Sequence, residues 1–403
     1  MKIGVLTYNN AINFGANLQA FSTYNYLQNH GYDPVLINYN PSDLKHSYSS
    51  FPKEQIEVHK LFCGQMYTTR LCTGSEDVAK VLDEENINNI IIGSDAVAQH
   101  HPLLSRIVFP SKKVFSIAQV TSDRMFPNPF WGEFLKFRPN TNVCLMSVSS
   151  QQADFKLFKA ETRNEMMKLL TRISFISVRD LWTKDMYKFI SGGSLNPNVT
   201  PDPVFAFNEN CKDFIPSKEE ILKKFNLPDK YILLSIRKGK SVDSSWSKEF
   251  EKACKNSGYA CVGLPFPYGF TTLNSVSRKI NLPISPMDWY CIIKYSSGYV
   301  GHNMHTIVSA LHNSVPCYSL DQYGRRTLMQ FCNNSSSKIF DILSNAGFAD
   351  FRAVSGTVIN IIPSAEKVVE KLLTFDREKC RTFASDFYQQ YEMMMLNIEK
   401  TFV

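Results

Sequence analysis

The sequence predicts an α/β protein of two parallel-sheet domains, and three stretches carry that reading. Residues 2–39 spell a strand, a glycine-containing turn, a helix and a second strand, the building unit of doubly wound, Rossmann-like sheets. After residue 217 the same alternation begins again. Residues 299–320 give its most compact form. A short apolar run ends at Gly301 and a turn carries His302, Asn303 and His305. Met304, Ile307, Val308 and Leu311 then line one helical face before Pro316 ends the helix. Imidazoles and an amide thereby reach the carboxyl end of a parallel strand, where open α/β sheets bind ligands. The free N–H groups and positive dipole of the helix start favour a phosphate or carboxylate. A histidine beside a strand end also serves as a structural hydrogen-bonding residue, so both roles stand open here.

Length and composition bound the rest. At 403 residues, and with about 150 residues per domain, two domains are expected. The chain is 44% hydrophobic and 20% charged, the balance of a folded soluble protein. Its start reads as a β-strand and not a signal peptide, and no apolar run reaches the roughly 18 residues a membrane span needs. A cytoplasmic location is the expectation. Ten cysteines are scattered without metal-ligand or framework spacing and read as reduced, mostly buried thiols. The net charge of +7 is spread along the sequence. It suits an anionic substrate, loose association with an acidic membrane surface, or simple solvation. No nucleic-acid motif accompanies it.

In chain order, residues 2–7 form the first strand, and the turn from Asn9 leads into a helix with Leu18, Phe21, Tyr24 and Leu27 on its apolar face and Gly31 as its stop. Residues 33–39 are the second strand. The Gly-x-Gly-x-x-Gly fingerprint is missing, which disfavours a nicotinamide or flavin cofactor. Residues 41–64 are polar and read as a loop near a substrate. A helical stretch at 78–89 runs into a strand that closes on Gly93-Ser94-Asp95. Asp95 suits either a base for a hydroxyl or a helix N-cap. Residues 143–149 are a strand, 153–170 a long helix, and 173–178 a strand followed by Arg179 and Asp180. The Arg179 fork matches a carboxylate or phosphate ligand, or an internal pair with Asp180 or another acid. Pro201 and Pro203 around Asp202 mark a rigid turn.

The expected division is a first domain at 1–206, a linker at 207–217, a second domain at 218–375, and a helix at 376–403. That last helix carries Phe383, Phe387, Tyr388 and Tyr391 on one face and should pack back across the domains. In the second domain, 231–236 is a strand ending at Arg237, and 259–264 another. Helices are expected at 218–225, 248–255 and 286–294. Arg325 and Arg326 follow near the same sheet edge.

These segments together resemble the polysaccharide pyruvyl transferase family. Asn13-Phe14-Gly15-Ala16-Asn17-Leu18-Gln19-Ala20 looks like that family's Asn-Tyr-Gly-Ala-x-Leu-Gln-Ala start, and Gly93-Ser94-Asp95 like its Gly-Ser-Asp-x-Val segment. Ser177-Val178-Arg179-Asp180 is similar to its Ser-Val-Arg element, Asp202-Pro203 to its Asp-Pro turn, and Asn303-Met304-His305 to its Ser-Phe-His or Arg-Leu-His element. The matches keep the family's order over residues 1–335. Two departures stand out. Asn303 replaces the family's arginine or serine, and the aromatic expected after Val97 is Ala98.

The resemblance implies a GT-B-like pair of domains facing a cleft, with phosphoenolpyruvate as co-substrate and neither cofactor nor metal. The enolpyruvyl group would be installed on a sugar as a cyclic ketal, releasing phosphate. The acceptor would be a hexose such as galactose, in a bacterial surface polysaccharide or its lipid-linked precursor. Arg179 and His305 fall on the family's donor-site positions, and Arg237, Asn303, Met304, Arg325 and Arg326 would complete the donor site. His305, with an ordinary pKa of about 6.5, would be the general acid and Asp95 the base. Asn13, Phe14, Gly15, Asn17 and Ser94 would face the acceptor. Domain closure would keep water out. The competing readings are a nucleotide-sugar glycosyltransferase of the same fold, with Asp321 placed for ribose hydroxyls, and a non-catalytic carbohydrate- or anion-binding relative.

Overall fold

The strands of this protein are near-continuous apolar runs, as strands covered on both faces must be. The structure, a computed structural model, describes residues 1–44, 51–108, 116–237, 242–270, 276–324, 333–354 and 362–403. The first sheet holds β1 (Lys2–Leu6), β2 (Asp33–Leu36), β3 (Asn89–Asp95), β4 (Asn142–Val148), β5 (Phe175–Val178) and β6 (Asn198–Val199), all parallel, in the order β2-β1-β3-β4-β5-β6. The second holds β7 (Tyr231–Ser235), β8 (Ala260–Gly263), β9 (Arg278–Lys279), β10 (Gly298–Gly301), β11 (Cys317–Asp321) and β12 (Arg352–Val354), also parallel, in the order β9-β8-β7-β10-β11-β12. The expected two-sheet α/β architecture is therefore the one found. Strand order reverses between β1 and β3 in one sheet and between β7 and β10 in the other. Those switch points open crevices at the strands' carboxyl ends.

Six helices bear on the site: α1 (Phe14–Asn29), α2 (Lys53–Cys63), α3 (Leu181–Ile190), α4 (Met304–His312), α5 (Lys338–Asn345) and α6 (Arg377–Glu399). Side chains alternate across the first sheet, so Leu6, Ile90, Ile92, Val143 and Leu145 fill a core of that domain alone. Their neighbours Ile3, Val5, Ile91, Cys144 and Met146 face the other way, into a core that runs on through α1 to the second sheet. Helix α1 is consequently buried all round from Phe14 to Leu27, not on one face as its periodicity suggests. Its polar residues find partners inside: Ser22 donates to the Pro203 carbonyl at 2.7 Å and Asn25 to the Phe21 carbonyl at 2.8 Å.

Helix α2 lies where a loop was expected. Its buried face is Gln55, His59, Phe62 and Cys63; two polar members hide the apolar period. Gln55 reaches across the domain boundary, donating to the Ile284 carbonyl at 2.7 Å and accepting from the Ile284 N–H at 2.8 Å. Phe14 stacks between His59 and Trp289, with ring centres 5.0 and 5.2 Å away. The helix expected at 153–170 begins only at Ala160, after a short turn at Phe155–Leu157. The tail is two helices, Ala365–Leu373 and α6. Beyond α6, Asn89 donates to the Val403 carbonyl and Asn142 to the Thr401 carbonyl, while Tyr26 donates to Glu399 on α6 itself. The segment after β6 carries Phe207, whose ring centre lies 4.4 Å from that of Tyr290. The described cysteines are buried free thiols, and no described helix is long and apolar enough to cross a membrane.

Burial also sets the protonation of the histidines. Desolvation pushes His302 and His312 down to about 3, and His100 and His305 down to about 4. Each is neutral when folded yet takes a proton near its ordinary pKa when unfolded. Stability present above about pH 6.5 is therefore lost on acidification toward pH 4, by up to about 1.4 kcal/mol per pH unit for each histidine. Asp341 works in the opposite sense. Burial, then the neighbouring Asp180, raises it to about 7, so its contribution is complete below its unfolded pKa and fades as pH rises toward 7. Urea midpoints measured between pH 7.5 and 4.5 should fall with acid, and Asp341→Asn should steepen the fall; a flat profile would refute the assignment. Gln55→Ala should lower unfolding free energy by roughly 1–3 kcal/mol in urea titration, because it strands a buried N–H and carbonyl.

Candidate functional site

Both switch points feed one cleft of about 430 Å³. Tyr8 and Asn13 enter it after β1, Asp95 at the end of β3, Arg237 after β7, and Asn303 and His305 after β10. A smaller cavity of about 290 Å³, lined by Arg179, Asp202, Met304, Lys338, Asp341 and Phe387 among others, lies beside it. Lys338 lines both.

The buried guanidinium of Arg179 sits at the junction. Its Nη1 donates to Asp202 Oδ2 at 2.9 Å, and its Nη2 lies 3.8 Å from Asp95 Oδ1. Gln19 on α1 donates to the same Asp202 oxygen, and Asp202 Oδ1 accepts from the Val204 N–H. The internal partner is thus Asp202, not Asp180. Asp180 caps α3 through the Thr183 N–H and accepts from Ser149 Oγ. Arg179 Nε and Nη2 have no hydrogen-bond acceptor among the described residues. Buried donors without partners are costly and rare, so this edge is ready for a ligand oxygen.

Asp95 lines the cleft with its Oδ1 accepting from the Ala96 N–H at 2.7 Å. No helix follows it, so the N-cap alternative fails. Its φ of 103° lies in the left-handed region, which costs a non-glycine residue about 1–3 kcal/mol and persists where surroundings enforce it. Gly93, at φ 113°, must be glycine because a β-carbon would collide with the Met146 carbonyl.

The other expected positions divide. Asn13 caps α1 by accepting from the Gly15 N–H at 3.0 Å and lines the cleft. Gly15 packs against the His305 ring so closely that a β-carbon would overlap it. Phe14 is taken up in the aromatic stack and reaches only a side cavity. Asn17 and Ser94 are internal braces, a correction to their expected acceptor role. Asn17 donates to the Asn9 and Ala11 carbonyls, Ser94 to the Ser147 carbonyl, and both are fully buried. On the donor side, Asn303 accepts from the His305 N–H at 2.9 Å and so caps α4. The Arg237 guanidinium lies 5.2 Å over the Phe266 ring, and the Arg237 backbone N–H donates to His302 Nδ1. His302 is therefore the structural histidine of the pair. Met304 faces the smaller cavity rather than the cleft. Arg325 and Arg326 lie outside the described residues.

His305 departs from its expected chemistry. Burial holds it at about 4, despite Asp95 and Asp202 pulling the other way, so it is uncharged at neutral pH. Its Nε2 has no partner among the described residues. Lys338 is a residue the sequence reading missed. It stands at the first position of α5, buried, and desolvation and then Arg179 push its amine down to about 8. Nothing in Ser336-Ser337-Lys338-Ile339 separates it from an ordinary surface lysine at a helix start. Among the described residues no three His, Cys, Asp or Glu side chains are grouped to hold a metal. The arrangement offers cations and unspent N–H donors to an anion, with a carboxylate and a neutral imidazole beside them.

The architecture is similar to that of two solved proteins. UDP-GlcNAc 2-epimerase from Neisseria meningitidis bound to UDP-GlcNAc aligns with TM-score 0.56 and 11% identity, over 99% of this chain and 100% of that chain. Os79 from O. sativa, in complex with U2F and trichothecene, aligns with TM-score 0.53 and 10% identity, over 99% and 100%. At such identities the likeness shows the GT-B-like fold alone. No curated protein matches the chain significantly. The sequence model of the family described as polysaccharide pyruvyl transferase matches residues 13–322, a span that takes in Asp95, Arg179, Asp202 and His305, and the chain belongs to that family.

Proposed function

We propose that the cleft transfers the enolpyruvyl group of phosphoenolpyruvate to a sugar, bridging two hydroxyls as a cyclic ketal. The observation that carries this reading is a cleft that holds Lys338, Arg237, Asp95 and His305, with the unspent edge of Arg179 beside it, its Nη2 3.8 Å from the cleft carboxylate Asp95. A donor with a phosphate and a carboxylate needs cations for both ends. Arg forks suit the planar carboxylate, and a lysine suits phosphate as a point charge.

In this reading the vinyl carbon takes a proton, the adjacent carbon gains oxocarbenium character, and one sugar hydroxyl adds there as it gives up its proton. Phosphate leaves with the C–O electron pair. The second hydroxyl closes the ring and releases its own proton. Asp95 receives a hydroxyl proton. His305 serves as the acid, but it must first be charged, and the donor's negative charge beside it raises its pKa. Lys338 holds the phosphate as it departs. The acceptor we infer is a hexose such as galactose, within a surface polysaccharide or its lipid-linked precursor.

Calorimetry in buffers of different ionisation enthalpy should show phosphoenolpyruvate binding at pH 7 with proton uptake, and His305→Asn should abolish the uptake. Binding without uptake would remove His305 as the acid. Lys338→Met should weaken phosphoenolpyruvate binding about 10- to 100-fold, and His305→Ala should lower kcat about 10²- to 10⁴-fold in a phosphate-release assay. Selective binding of uridine or guanosine nucleotide sugars in place of phosphoenolpyruvate would make the protein a glycosyltransferase instead.

A further inference from the structure

A side chamber of about 190 Å³ opens beside the cleft, lined in part by Asn13, Phe51, Arg237, Phe266, Tyr268 and Asn303. Asn13, Phe51, Arg237 and Asn303 also line the cleft, so the two spaces adjoin along a shared wall. The far wall is built on a rigid support. Phe266 and Gly269 exchange backbone hydrogen bonds of 3.2 and 2.8 Å around Pro267 and Tyr268, and Gly269 takes the φ of 96° that closing this turn requires. The Phe266 ring is buried and lies parallel to Tyr268, with centres 5.3 Å apart and planes 3° from each other. Arg237 lies over Phe266, 5.2 Å from its ring centre, and Phe51 meets the Tyr268 ring edge-on at 6.1 Å. Tyr268 itself is 41% exposed.

An aromatic ring held out at the rim of a polar cleft by a turn and a stack below it has a specific use. One face of a pyranose is a set of C–H groups that lies flat on an aromatic ring, while its rim hydroxyls need donors and acceptors. The chamber supplies both. Asn13 and Asn303 each spend the amide oxygen on a helix cap, and their amide N–H₂ groups have no partner among the described residues. Arg237 Nε is likewise unpartnered. A phosphate or carboxylate alone would not explain two aromatic rings at this wall, and a lipid chain would not explain the amides and the guanidinium.

We propose that this chamber is a subsite for a second sugar residue, so that the acceptor is at least a disaccharide whose neighbouring ring stacks on Tyr268. The assignment rests on the sugar-acceptor reading above and deepens it. It makes Tyr268 a specificity-determining residue that discriminates longer acceptors from single sugars. It takes no part in donor binding.

The test is ligand-observed NMR titration of methyl galactoside, glucoside and mannoside against lactose, cellobiose and mannobiose. At least one disaccharide should bind about tenfold or more tighter than its methyl monosaccharide, the size of one well-packed aromatic contact. Tyr268→Ala should erase that advantage and Tyr268→Phe retain it, with phosphoenolpyruvate affinity unchanged in both. Phe51→Ala gives a second variant should the first fail to fold. No disaccharide advantage in the panel, or an advantage that survives both alanine variants, would overturn the subsite. Phosphate release with phosphoenolpyruvate separates the two claims. Turnover without the advantage sinks the subsite alone, whereas the advantage without turnover supports the subsite and sinks the donor chemistry.

Discussion

The buried ion pair between Arg179 and Asp202 is the constraint on which the rest of the site depends. A guanidinium withdrawn from water is tolerable only where a carboxylate and further hydrogen bonds compensate it. Asp202 provides the carboxylate from the turn after β6, and Gln19 on α1 steadies the same oxygen. One interaction thus ties together the end of β5, the turn beyond β6 and the helix that joins the domains. It is also incomplete, since Nε and Nη2 have no acceptor among the described residues. A structural pair would satisfy the whole fork. A pair that anchors one corner and leaves an edge unspent is the arrangement the proposed donor site requires.

Helix α1 converts that anchor into a preformed cleft. Because it is buried from Phe14 to Leu27, it belongs to the core of both domains. The Phe14 stack and the Gln55 bonds to Ile284 cross the same boundary, and Gly15 lets α1 lie directly on the His305 ring. Ordinary domain interfaces in one chain are polar and permit large motions. This one is a shared apolar core. The proximity of first-domain Asp95 and second-domain His305 to one cleft is therefore set largely by packing, and the ordering cost of assembling the site is met during folding.

The sheets were legible because parallel strands buried on both faces leave long apolar runs, and because Gly301 and Pro316 punctuate β10, α4 and β11 clearly. The position of the site was legible, since Asp95 and His305 line the cleft and Arg179 lies beside it, although the charge state of His305 was not. The site was misread where a polar residue at a turn is consumed internally. Asn17 and Ser94 sit in the right motifs, yet backbone carbonyls claim them. Helix α2 was hidden because Gln55 and His59 occupy its buried face, and a hydrophobic period cannot report burial of polar groups that have found partners. Lys338 was invisible for the opposite reason. A lysine near a helix start is ordinary in sequence, and only the tertiary fold takes it out of water.

The same burial that makes Lys338 unusual gives the cleft its electrostatic character. His305, held at about 4, adds no charge beside Arg179 at neutral pH, whereas Lys338, at about 8, stays largely protonated but close to its titration range. The cost of a further like charge at His305 is deferred until an anion arrives. An anion that enters reverses both shifts, since it favours the protonated imidazole and the protonated amine together. Binding and charging then become one event, and the charge appears next to the bound ligand. In the proposed reaction, whose first step is protonation of an electron-rich carbon, that coupling would make the acid available only when the donor is seated. Under that proposal acidity is concentrated in the loaded protein and kept low in the free one.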